Sequence, residues 1–254
     1  MKDVERFAEL VDTAARSAKE IDQLSLQREL SLEEAYAVQA ASIARRLQRG
    51  ERRVGMKMGF TSRAKMVQMG ISDLIWGRLT DAMRVDDGGS IALSSYVHPR
   101  VEPEIAFVLA RDLPRRVSLA EALAAVGGVA PALEIIDSRY RAFKFSLPDV
   151  IADNASASSF VLGPWSAPST DVSNLGMLLE VDMRPVEIGS SAGILGHPLR
   201  SLVIAARMAF DAGEPLQAGD IVMAGGATAA VALAPNQHVR VVVQSLGQAE
   251  FQVR

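Results

Sequence analysis

Arg100-Val101-Glu102-Pro103-Glu104-Ile105-Ala106-Phe107-Val108 reads as a β-strand, because small and apolar residues dominate after Glu104 and helix formers are scarce. Side chains alternate faces along a strand, so Glu102 and Glu104 share a face, roughly 7 Å apart. Two carboxylates that close repel, and one takes up a proton unless a cation sits between them. A hard divalent metal resolves the conflict, since Mg²⁺ accepts oxygen ligands and tolerates water in its remaining positions. Pro103 also suits an edge strand, where two exposed glutamates would need no metal. A second acidic apolar segment, Ala132-Leu133-Glu134-Ile135-Ile136-Asp137, offers a third carboxylate from Glu134 or Asp137.

The chain of 254 residues is long enough for one sizeable domain. Its hydrophobic fraction of 49% and charged fraction of 22% are ordinary for a soluble globular protein. A formal charge of −3 gives no basic field, so nucleic acid is not an expected partner. The absence of cysteine excludes disulfides, thiolate metal sites and a cysteine nucleophile. The start, Met1-Lys2-Asp3-Val4-Glu5-Arg6, lacks the apolar core of a signal peptide. No apolar run approaches the roughly 18 to 20 residues that span a bilayer. The expected location is the cytoplasm, with no membrane contact.

Val4, Phe7, Ala8, Val11, Ala14 and Ala15 recur at helical spacing over residues 3–20. Ser31-Leu32-Glu33-Glu34 is a capping box opening a second helix, which Arg45, Arg46 and Gly50 close. Residues 1–50 are therefore expected to be helical, and residues 51–254 a β-rich catalytic body, the whole forming one domain. Val54 to Phe60 predicts a strand carrying Lys57 between methionines and glycines. Lys57 either snorkels to solvent or stands partly buried, aimed at an anionic substrate. Thr61 or Ser62 caps a short predicted helix through Met69, ended by Gly70. The segment Trp76 to Asp81 reads as an ordered loop that borders a pocket.

Ser118-Leu119-Ala120-Glu121 caps another helix, expected to end at Gly127-Gly128. Ser138 to Ser159 reads as a long irregular polar stretch, of the kind that is usually functional, and it carries Arg139, Asp153 and Asn154. His197-Pro198 starts a helix through Phe210. Gly219 to Thr228 predicts a strand running into a turn where glycines let backbone approach a ligand. The tail from His238 to Val253 alternates as paired strands. Neither G-x-G-x-x-G nor G-x-x-x-x-G-K-[ST] occurs, which leaves nucleotide binding without support.

Several stretches together resemble the fumarylacetoacetate hydrolase superfamily, in its hydratase and decarboxylase branch acting on 2-oxo acids. They are Gly55 to Ser62, Val101 to Phe107, Pro131 to Arg139, Asp153 to Ser156 and Ala218 to Gly226. The resemblance implies an α+β fold: a mixed, β-rich rolled sheet with the helical N-terminal region attached. It also implies a Mg²⁺ or Mn²⁺ site on Glu102, Glu104 and a third acid. Asp137 sits an odd three residues from Glu134, so in a regular strand only one of the two faces the metal. Glu134 aligns with the family's third ligand.

The resemblance further implies Lys57 as a catalytic cation and Asp153 as a proton-handling acid. Asp81, Arg139, Gly226 and Thr228 are the expected substrate-binding residues. Gly59 to Met66, Trp76 to Met83 and Tyr96 to Arg100 look more like the decarboxylating members of the branch. The implied reaction is loss of CO₂ from 2-oxohex-3-enedioate, in meta-cleavage catabolism of aromatic compounds. Hydration of 2-hydroxypenta-2,4-dienoate is the alternative, and a non-catalytic assembly subunit a third reading. The expected assembly is a homo-oligomer, in complex with the pathway hydratase.

Overall fold

The computed structural model describes residues 2–62 and 74–254. Helices α1 (Lys2–Ser17) and α2 (Leu32–Gln48) come first. They are followed by strands β1 (Arg53–Gly59), β2 (Ile75–Thr80), β3 (Arg84–Val85), β4 (Ser90–Ile91) and β5 (Pro99–Leu109). Helix α3 (Leu119–Ala125) leads into β6 (Val126–Asp137), and α4 (Leu147–Ala152) into β7 (Ala157–Leu162). Strands β8 (Gly176–Val181) and β9 (Arg184–Ser190) precede α5 (Pro198–Asp211). The order ends with β10 (Ile221–Met223), β11 (Val231–Ala232), β12 (His238–Val243) and β13 (Gly247–Val253).

The capping serines Ser31 and Ser118 act as the sequence predicts, and Ser146, which the sequence reading did not mark, does the same. Ser31, Ser118 and Ser146 each accept from the backbone three residues on, and the acid there accepts in return from the serine backbone. The short helix expected from Thr61 or Ser62 through Met69 lies outside the described residues. Three expectations need correction. The segment from Trp76 to Asp81, expected as a loop, is strand β2 up to Thr80, paired along β1, and Asp81 opens a single helical turn. Helix α3 ends at Ala125, and Gly127-Gly128 belong to β6. The stretch from Ser138 to Ser159 is not irregular, for it holds α4, two single-turn helices and the start of β7.

The described strands form two mixed sheets. The larger runs β2-β1-β10-β5-β6-β7-β3, with β11 also pairing β5, and the smaller runs β4-β13-β12-β8-β9. Period-2 alternation decides what each face of β5 and β6 does. Odd positions, such as Ile105, Phe107, Leu133 and Ile135, share one core with Leu179, Val241 and Phe251 of the smaller sheet. Even positions look the other way, where Ala106 and Ala132 meet Met223 and Phe160. Glu102, Glu104 and Glu134 are even, so their carboxylates leave the inter-sheet core on the same side.

Pro103 does not mark an edge. β5 lies inside the sheet, yet the missing N–H costs no ladder bond to β6. In an antiparallel strand a residue's N and O point to the same side, and Pro103 O accepts from Ala227 N, away from β6. That side falls between the stretches paired with β10 and β11, where the glycine turn passes instead of a strand. The helical pair α1 and α2 is not a loose appendage. Phe7, Val11 and Val38 share a core with Tyr140, Val150 and Ile151.

Candidate active site

Glu102 and Glu134 are directly opposed in the β5–β6 register, and Glu104 is two residues along β5. One carboxylate oxygen from each comes within 4.8 Å of the others. Asp137 is turned away, as its odd spacing requires, and accepts from the backbone N–H groups of Val97 and His98. Lys57 reaches the cluster from β1, which the order β1-β10-β5 brings alongside. Its Nζ lies 3.0 Å from Glu134 Oε2, as an ion pair rather than an aligned hydrogen bond. It also donates to Ala155 O at 3.0 Å. Of the two readings of Lys57, the buried cation holds, since only 4% of the residue is exposed.

Three carboxylates against one ammonium leave a formal charge of −2 in an enclosed place. Burial pushes Glu104 well above the ordinary carboxylate value, and the charge of Glu134 pushes the same way. Burial also raises Glu134, against the pull of Lys57. Burial alone would lower Lys57, but the charges of Glu134, Glu104 and Glu102 outweigh it and its pKa stands above the usual lysine value. Among the described residues, Glu104 Oε1 and Glu134 Oε1 are buried with no hydrogen-bond partner. Buried acceptors are rarely left in that state, and here they belong to the set of oxygens that converge. Hard oxygen donors, spacing and net charge all fit one divalent cation such as Mg²⁺.

Glycines make the close approaches possible. A Cβ on Gly226 would lie 2.5 Å from Glu102 Oε2, so only glycine admits the carboxylate there. Gly225, at φ +108°, donates its N–H to Glu104 Oε2 at 2.7 Å. Gly77 of β2 lets the backbone of Asn154 come in, for a Cβ would lie 2.4 Å from Asn154 O. Asn154 then binds Arg78 twice, its Oδ1 accepting from Arg78 N and its Nδ2 donating to Arg78 O. Asn154, Ala155 and Ser156 all have positive φ, a left-handed run that aims the Ala155 carbonyl at Lys57.

Beside the carboxylates lies a cavity of about 510 Å³, lined among others by Lys57, Glu102, Arg100, Phe143, Ser156 and Gly226. Several residues expected at the substrate are elsewhere. Asp81 caps the far end of β2, bound to Arg52 and outside the cavity lining. Arg139 and Asp153 are paired with each other in the interior, Arg139 N donating to Asp153 Oδ2 at 2.9 Å. Neither lines the cavity, because each satisfies the other behind the Asn154–Ser156 turn. Thr228 is next to the site, but its hydroxyl donates to Ala229 O and it is not part of the lining.

The cavity also holds groups that motif reading missed. Ser156 Oγ is buried without a hydrogen-bond partner among the described residues and faces the same space. Arg100 was available from parity alone, since it shares the face of Glu102 and Glu104. Lys144 and Phe143 come from the turn before α4, and no local signal marks them.

Known proteins resemble this chain in both sequence and architecture. Residues 49–254 match the family model described as fumarylacetoacetate (FAA) hydrolase C-terminal. A 4-oxalocrotonate decarboxylase of a Pseudomonas species is 59% identical over 248 residues, 98% of this chain and 97% of the relative. A 2-keto-4-pentenoate hydratase of Paraburkholderia xenovorans is 38% identical over 222 residues, 86% and 82% of the two chains. The structure of 4-oxalocrotonate decarboxylase from Pseudomonas putida G7, complexed with magnesium and adipate, superposes with a TM-score of 0.95 at 37% identity. That match covers 100% of this chain and 98% of the other. This chain belongs to the fumarylacetoacetate hydrolase family.

Proposed function

We infer that this chain is a Mg²⁺-dependent carboxy-lyase that releases CO₂ from 2-oxohex-3-enedioate (4-oxalocrotonate) and leaves 2-hydroxypenta-2,4-dienoate. The observation that carries the reading is 59% identity to a 4-oxalocrotonate decarboxylase along nearly the whole chain. The convergent Glu102, Glu104 and Glu134 support it chemically. So does the near relative whose structure holds magnesium together with adipate, a six-carbon diacid.

Glu102, Glu104 and Glu134 would hold the cation. Bound there, it supplies Lewis acidity toward the 1-carboxylate and 2-oxo group, the electron sink that the reaction needs. The C5–C6 bond of the substrate breaks, CO₂ leaves, and the electron pair spreads through the C3–C4 alkene to the 2-oxo oxygen. A proton delivered to that oxygen completes the dienol. Lys57 stays protonated among carboxylates and adds positive charge where the oxygen turns negative. Phe143, Phe145 and Ile136 give the enone apolar walls and limit water. Asp153 and Arg139 fix the turn that orients Lys57.

The enzyme works in the cytoplasm as a homo-oligomer of one-domain subunits that passes its unstable dienol to the pathway hydratase. Among the described residues no helix is long and apolar enough to cross a membrane, and the N-terminal helices share a core with α4. Val186 and Ile188 lie exposed on the outermost strand, β9, an apolar edge suited to a second subunit. The test supplies 4-oxalocrotonate and Mg²⁺ to purified protein and follows CO₂. Its release supports the reading. No CO₂, with hydration of 2-hydroxypenta-2,4-dienoate instead, overturns it in favour of the hydratase.

A further inference from the structure

The cavity is electrically lopsided. Its inner end holds the carboxylates, while toward the mouth stand Arg100 and the exposed Lys144, with Ile136, Phe143 and Phe145 between. Arg100 is on the face of β5 that carries Glu102 and Glu104, one pleat before Glu102 and opposite Ile136. Its guanidinium lies over the Phe143 ring, 4.1 Å from the centroid. Among the described residues it makes no hydrogen bond or ion pair. An arginine at a cavity wall with all its donors free is unusual where acids abound, and its planar fork matches a carboxylate in two-point contact. The same guanidinium and ring line a second cavity of about 890 Å³ toward Pro235 and Arg254, so Arg100 stands where the two spaces meet.

We propose that Arg100, steadied on Phe143 and assisted by Lys144, is the residue that recognises the distal carboxylate of a six-carbon 2-oxo diacid. This rests on the reading of the inner end as the seat of the 2-oxo acid group. Residues on one face of a strand are roughly 7 Å apart. An extended chain advances about 1.2 Å per bond, so C2 to C6 of the substrate covers about 5 Å. A substrate anchored at Glu102 therefore brings its C6 carboxylate within reach of a side chain as long as arginine. The hydratase substrate, with five carbons and a single carboxylate, has nothing to offer there. Arg100 thus selects the diacid. As CO₂ forms, the negative charge that Arg100 holds disappears, so the contact favours the bound ground state and its loss falls mainly on KM.

The test compares two ligands of equal length, 2-oxoadipate and 2-oxohexanoate, titrated by calorimetry into full-length, Mg²⁺-loaded protein. Wild type binds 2-oxoadipate more tightly. In Arg100→Gln the affinity for 2-oxoadipate falls by on the order of 10²-fold, while that for 2-oxohexanoate changes less than about threefold, which also reports an intact site. Arg100→Lys keeps part of the preference, because a point charge replaces the fork. A preference that persists unchanged in Arg100→Gln overturns the proposal, and so does an equal loss for both acids. The parent reading stands or falls separately, on release of CO₂ by the wild type.

Discussion

Lys57 Nζ and Glu134 Oε2 stand 3.0 Å apart, with 4% and 1% of their side chains exposed. Removing one partner of such a pair leaves an uncompensated buried charge and costs about 3–5 kcal/mol. Lys57→Met is therefore expected to lower the unfolding midpoint of the metal-free protein, and excess Mg²⁺ to recover much of it. At saturating Mg²⁺, kcat for CO₂ release falls on the order of 10²–10³-fold, the scale of losing one oxyanion donor. Lys57→Arg recovers only part, since a planar fork cannot take the place of a point charge. A kcat near wild type in Lys57→Met, with only metal affinity altered, would make the lysine structural.

Glu104 carries the opposite expectation. It is wholly buried among like charges, which is why its proton is held so far above the usual range. Glu104→Gln removes that repulsion, so in the presence of a chelator the variant unfolds at a higher temperature than wild type. With Mg²⁺ the order reverses, because wild type gains binding energy that the variant forfeits. Chelation abolishes CO₂ release by wild type, and Mg²⁺ or Mn²⁺ restores it. Full activity of metal-free protein would end the account.

Ser156 offers a separation of stability from activity. Its hydroxyl is buried, lacks a partner among the described residues and lines the cavity. An unsatisfied buried hydroxyl costs about 1–3 kcal/mol. Ser156→Ala is therefore expected to raise the unfolding midpoint of ligand-free protein while lowering kcat/KM about ten- to a hundredfold. Calorimetric melting together with steady-state CO₂ release tests both halves. Unchanged turnover would show that the hydroxyl never meets substrate.

How much of this was legible in the sequence depends on how far apart the interacting residues are. The strand at Glu102, the capping boxes at Ser31 and Ser118 and the parity of Glu134 against Asp137 are local, and alternation or spacing states them directly. The position of Pro103 was misleading, because whether a strand is at an edge depends on partners more than a hundred residues away, here Ala227. The resemblance suggested substrate contacts for Asp81 and Arg139 and a proton-handling role for Asp153. Composition cannot say that Asp81 would meet Arg52, or that Arg139 and Asp153 would satisfy each other. Arg100, unpaired among the described residues, was hidden for the converse reason. A sequence shows charges but not which of them lack a partner.

The Arg139–Asp153 pair sets up a contest that pH can decide. Burial pushes Asp153 up from 3.8 to about 6, against the opposing pull of the Arg139 guanidinium and backbone N–H. An acid whose folded pKa is raised keeps its proton to higher pH in the folded chain than in the unfolded one. Its contribution to stability is then full below about pH 4, falls as the unfolded chain ionises, and is gone once the folded group has ionised near pH 6. Over that window the loss amounts to roughly 3 kcal/mol, at 1.36 kcal/mol per unit. Asp153→Asn cannot titrate. The stability of wild type relative to this variant, measured by urea unfolding in a chelator, should therefore decline from pH 4 to pH 7. A difference that stays flat or grows across that range would mean that Arg139 wins, holding Asp153 ionised throughout.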